Sequence, residues 1–186
     1  MSLNAYDLSA GVFVRGLANV KTQLSKAEEY AAASGTSEAT LLGARIATDG
    51  QASGVASGAP TDLHMYTLAA QVHWAAEAAR LAVARLLGDT SAPATNDAQS
   101  VEDLYRRLDA TIAYLRAIAP SDLEAGLDRT IVIEHPRGSV RSSGRQFLIA
   151  FAIPHFFYHV TSAYSILRNQ GVQLTMGDFL GSWAAS

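Results

Sequence analysis

The sequence predicts an all-α protein, a four-helix bundle with a small β-hairpin before the last helix. Three observations carry this. Four segments, at about 6–33, 62–87, 101–118 and 144–170, repeat apolar residues at steps of three and four, the period of a helix face. Cap or stop residues bracket each of them. A β-branched run, Thr130-Ile131-Val132-Ile133, falls between the third and the fourth.

The first helix runs from Tyr6 to Ala33 on a stripe of Leu8, Val12, Leu17, Val20, Leu24, Ala27 and Ala31, and Ser34-Gly35-Thr36 ends it. A short helix is expected over Ser37 to Ile46, with Ser37 or Thr36 as its cap. Residues 48–60 are rich in Gly, Ser and Ala and have no period, so they read as a flexible loop insertion. The second long helix begins after Thr61-Asp62, carries Leu68, Val72, Ala76, Ala79, Val83 and Leu86 in one stripe, and stops at Gly88. A polar loop over 89–100 leads to the third helix, Val101 to Ile118. Ser100 caps it, Glu102 and Asp103 suit the positive end of its dipole, and Pro120 ends it. The turn residues His135-Pro136-Arg137-Gly138 separate the β-branched run from a return strand at 139–142. The fourth helix, Gly144 to Gln170, is apolar nearly all round and reads as buried, with a bend at Pro154 and a stop at Gly171.

Length and composition exclude several classes. The 186 residues suit a single domain over 1–186, and 49% hydrophobic with 17% charged residues exclude a disordered chain. The net charge is −3 and the basic residues are scattered, so neither nucleic acid nor a membrane surface is an expected partner. There is no cysteine, which removes disulfides, thiolate metal sites and Cys nucleophiles. The N-terminus has no basic region followed by an apolar one, and the stretch from Phe147 to Val160 is too short to span a bilayer. A soluble, cytoplasmic protein is expected. No Gly-rich nucleotide motif occurs, so no nucleotide cofactor is expected.

Chemistry concentrates on histidine. His155 and His159 are four apart and share a helix face, so both imidazoles can reach one point. A catalytic metal of the zinc type takes three protein ligands and keeps one position open. His64 and His73 lie on the second helix about half a turn out of phase, and His73, mid-helix, is the favoured third ligand. Glu77, one turn beyond it, could be a fourth ligand, orient His73 or act as a base toward metal-bound water. Tyr158 is a second candidate catalytic residue, and Phe147, Phe151 and their neighbours are core or could line an apolar pocket beside the histidines. His135, in its turn, reads as exposed.

Several segments together carry a family resemblance: Leu3 to Asp7, Val12 to Leu17, Leu41 to Ile46, Gln71-Val72, Pro136-Arg137-Gly138, Phe151 to Arg168, and Gly177 to Gly181. The chain resembles the family catalogued as domain of unknown function nineteen ninety-three, grouped with the DinB-like (YfiT-like) four-helix bundles. The resemblance spans nearly the whole chain and is most specific in its C-terminal block. It implies a bundle in which a histidine of the second helix and an H-x-x-x-H pair of the last bind a divalent metal. His73, His155 and His159 match that pattern. It also implies the thiol-dependent transferase or isomerase chemistry of characterised members of the superfamily.

Three readings follow. The first is a metal-dependent transferase or isomerase acting on a small molecule through His73, His155 and His159, with zinc, nickel or iron(II) as the cofactor. The second is a module that binds an apolar small molecule without chemistry. The third is a structural bundle that forms a homodimer through a leftover apolar face.

Overall fold

The structure is a computed structural model that describes residues 4–46, 66–135 and 138–182. It is an all-α bundle with a two-stranded hairpin ahead of the last long helix, as the apolar periodicity predicts.

Ser9 divides the first helical segment. α1 (Ala5–Leu8) is a single turn capped by Asn4, whose side chain accepts from the Asp7 N–H. At Ser9 the backbone leaves the helical region (φ −127°, ψ −90°), and α2 (Ala10–Ser34) begins after it. The buried Ser9 hydroxyl donates to the Ala5 carbonyl, offering the backbone a local alternative to the helix ladder. α2 buries Phe13, Leu17, Val20, Leu24 and Ala27, and it stops at Gly35 in the left-handed region. α3 (Glu38–Gly43) is capped by Ser37. Residues 47–65 lie outside the described residues, and with them the loop insertion at 48–60, the Thr61-Asp62 pair and His64.

α4 (Leu68–Leu87) is the central helix. Thr67 caps it through the Ala70 N–H, and Gly88 ends it. Every member of its expected stripe is 1% exposed or less. α5 (Val101–Arg116) opens with the reciprocal Ser100/Asp103 capping box. Pro120 does more than end a helix. It starts α6 (Pro120–Leu127), where its missing N–H is harmless and its φ is already helical. Eight residues anchored by Leu123 and Leu127 are too short to show a period, which is why the sequence reading has no helix there.

β1 (Thr130–His135) and β2 (Gly138–Ser143) pair antiparallel, with Ile131 opposite Ser142 and Ile133 opposite Val140. The last long helix is continuous but not uniform. α7 (Gly144–Phe147) passes into a π-helical turn (Leu148–Ala152) and then α8 (Ile153–Asn169). Pro154 lacks an N–H and its ring crowds the carbonyl of Ala150, so the expected bend takes the form of a widened turn just upstream. The helix is buried on one side only: Phe156, Val160, Ile166 and Leu167 are in the core, whereas Ile149, Phe151 and Tyr158 are 64%, 44% and 51% exposed. A short α9 (Met176–Leu180), with a Thr175/Asp178 capping box, packs against α2.

Two close approaches set the geometry around α4. Phe13 of α2 meets Phe156 of α8 edge-on at 5.0 Å, and Gly16 leaves room for that ring, since a Cβ there would lie 2.6 Å from it. At the far end, Gly144 sits so close to α6 and α4 that a Cβ would fall 2.1 Å from the Gly126 carbonyl oxygen and 2.9 Å from Leu86 Cδ2. These contacts place α8 along α4. No helix among the described residues is long and apolar enough to cross a membrane.

Candidate functional site

His155 and His159 lie one turn apart on α8, as their spacing requires, and they bond to each other. The two Nε2 atoms are 3.2 Å apart, and His159 Nδ1 is 2.7 Å from Oε1 of the buried Gln71 on α4. With the Gln71 carbonyl oxygen accepting, His159 Nδ1 carries its proton. His159 Nε2 then accepts from His155 Nε2–H, and both rings are neutral. Burial pushes the His159 pKa down to about 4, with help from His155 and His73. Burial and then Arg85 lower that of His155.

His73 is fully buried on α4, roughly 200° around the helix from Gln71 by the helical period. Its ring packs edge-on to Trp74 at 5.0 Å, and neither ring nitrogen has a hydrogen-bond partner. Burial and Arg107 lower its pKa, against the opposing pull of Glu77, Ala94 and Asp97.

This arrangement corrects the metal expectation. Among the described residues, no group of three or more His, Asp or Glu side chains is placed to hold a metal ion. His159 has both nitrogens engaged within the protein, and His73 makes no hydrogen bond to either histidine of α8. The His73/His155/His159 centre is therefore set aside. With it go the zinc, nickel or iron(II) cofactor and the metal-dependent transferase or isomerase.

Glu77 is 2% exposed and holds a structural position. Arg80 grips it with two N–H bonds, at 3.1 and 2.8 Å, and the Ala94 N–H donates to it at 2.9 Å. Burial alone would raise its pKa, but the Arg80 fork and the Ala94 N–H outweigh that and keep it ionised. The carboxylate thus ties the 89–100 segment to α4. It borders a charged cleft of about 550 Å³ shared with Arg80, Arg107 and Tyr114, which has no lining residue in common with the histidine side. Tyr158 is half exposed, with its ring edge-on to His159 at 5.1 Å. The side chain of His135 lies outside the described residues.

A different feature adjoins His155. An apolar pocket of about 170 Å³ opens between α4, β1 and the π-helical turn. Trp74, Ala78, Leu81 and Ala82 form one wall, Phe147, Phe151 and Ala152 the other, and Ile133 and Pro93 close the ends. Phe147 and Phe151 stack at 5.8 Å, and Phe151 reaches the His155 ring at 5.2 Å. Arg85 and His155 are the polar members of the lining. The spacing of Phe147, Phe151 and His155 at i, i+4 and i+8 is legible in the sequence. That Trp74, Leu81 and Arg85 face them is not.

A family model described as a domain of unknown function (DUF1993) matches residues 5–180. A crystal structure of a DinB family member protein from Shewanella denitrificans shares the fold with a TM-score of 0.82 at 29% identity, over 97% of this chain and 94% of that one. No curated protein matches the chain.

Proposed function

Since the chain belongs to the DUF1993 family and folds as a DinB-like helical bundle, we propose that it is a non-catalytic protein that binds a small apolar molecule. The observation that carries this reading is the pocket between Trp74 and Phe151. At about 170 Å³ it exceeds the roughly 150 Å³ of a dry apolar cavity that takes up benzene. Its walls are aromatic and aliphatic, with a few polar groups at the margin, the composition typical of sites for small ligands. A planar ring between Trp74 and Phe151 would bury both of its faces against aromatic carbon.

Trp74 is in the wall, so the protein carries its own reporter. The chain has two tryptophans, and Trp183→Phe leaves Trp74 alone. Toluene titrated into that variant is expected to change the Trp74 emission saturably, with a Kd on the order of 1 mM for so small a ligand. Ala78→Leu, which puts a side chain into the pocket, is expected to abolish the response. No saturable change up to the solubility limit of toluene refutes the reading.

A further inference from the structure

Arg85 stands in the last turn of α4 and contributes to the wall of the apolar pocket. The arginines around it each have a partner: Arg80 holds Glu77, Arg107 holds Asp97, Arg106 holds Asp103, and Arg129 donates to the Leu86 carbonyl. Arg85 has no hydrogen bond or ion pair with any described residue. On its other side it borders a wider cleft with Asp89 and Glu134, and it pairs with neither. A partly buried guanidinium beside an apolar wall lacks the anion that its planar fork is shaped to take. Burial and the charge of Arg80 both lower its pKa, as expected of a cation short of a counter-ion.

We propose that the pocket takes a small apolar monocarboxylate, whose carboxylate pairs with Arg85 and whose ring or alkyl body lies between Trp74 and Phe151. The inference rests on the pocket reading above and names the ligand class of the same site. Three features select this class. The lining has one cation and no ionised carboxylate, so a single negative charge balances it and a dianion such as a phosphate ester would leave an unpaired charge against an apolar wall. A space of about 170 Å³ admits one six-membered ring with a short substituent. His155 turns its Nε2 to His159, 3.2 Å away, and burial keeps its ring from carrying charge, which leaves Arg85 as the charged partner for an anion in the lining. An amine would meet the like charge of Arg85, and a neutral ligand would leave it unpaired.

The test uses benzoate, its neutral isostere benzamide, and toluene, each titrated at pH 7.5 into the full chain with Trp183→Phe. Benzoate is expected to bind about tenfold or more tighter than benzamide, the gain typical of a charge-assisted hydrogen bond. Arg85→Met is expected to erase that preference without weakening toluene, and Arg85→Lys to keep part of it. Thermal melts of both variants check that the fold is retained. If benzoate binds no tighter than benzamide, or Arg85→Met leaves the preference intact, the carboxylate inference is overturned while toluene binding still supports the pocket. If none of the three probes binds, the pocket reading falls and takes this inference with it.

Discussion

Acidification should weaken this fold in a window set by His159. The ring is 3% exposed and bonded to Gln71 and His155, and its pKa is held at about 4 against an ordinary value of 6.5. The unfolded chain therefore binds this proton more readily than the folded one, and stability must rise with pH. The contribution is fully present above about pH 6.5 and is lost as the pH falls toward 4. At about 1.4 kcal/mol per pKa unit the whole effect is on the order of 3 kcal/mol, of which about 2 kcal/mol is lost between pH 7.5 and pH 5. Asp103 and Asp178, both depressed to about 2, titrate below that window. His73 and His155 are lowered as well and steepen the wild-type slope. The comparison that isolates His159 is the variant His159→Gln, measured by urea unfolding at both pH values. The wild type should lose about 2 kcal/mol more than the variant across the interval. Parallel losses, or an NMR titration of His159 with a midpoint near 6.5, would refute the argument.

Two further predictions concern the scaffold. Gly144→Ala forces a methyl against the Gly126 carbonyl and Leu86, and backbone cannot yield as a side-chain tip can. The variant should be less stable by about 2 kcal/mol in urea, in spite of the better helix propensity of alanine, and equal or greater stability would show that the approach is looser than described. Glu77→Ala strands Arg80 and the Ala94 N–H. It should cost about 2 kcal/mol and raise amide hydrogen exchange over residues 89–100, whereas unchanged exchange there would mean that Glu77 does not hold the segment.

The role of Glu77 shows where sequence reasoning stops. Its place one turn beyond His73 is equally compatible with orienting an imidazole, activating water or pairing with Arg80. The spacing to Arg80 is visible in the chain, but the decisive partner is the N–H of Ala94, in a segment with no periodicity to locate it. His159 is a parallel case. Its pairing with His155 follows from helical spacing, but the ligand that completes its hydrogen bonding is Gln71, 88 positions away.

What the sequence determined by itself is local. Gly88 ends α4, Ser100 with Asp103 starts α5, and Gly171 follows the end of α8, because caps and left-handed stops act within a turn of the residues they serve; the cap of α4, by contrast, is Thr67 and not the expected Thr61-Asp62 pair. The apolar stripes follow from the same short-range period, and with them the bundle. The tertiary structure decided which side chains converge. Gln71 and His73 point to opposite sides of one helix, and only tertiary packing, of Phe156 of α8 over Gly16 of α2 at one end and of Gly144 on Leu86 of α4 at the other, selects Gln71 to meet His159. The same rotation brings Trp74 and Arg85 to face Phe151. A helix specifies the angles between its own residues, but the angle it presents to a neighbour is set by contacts distant in sequence.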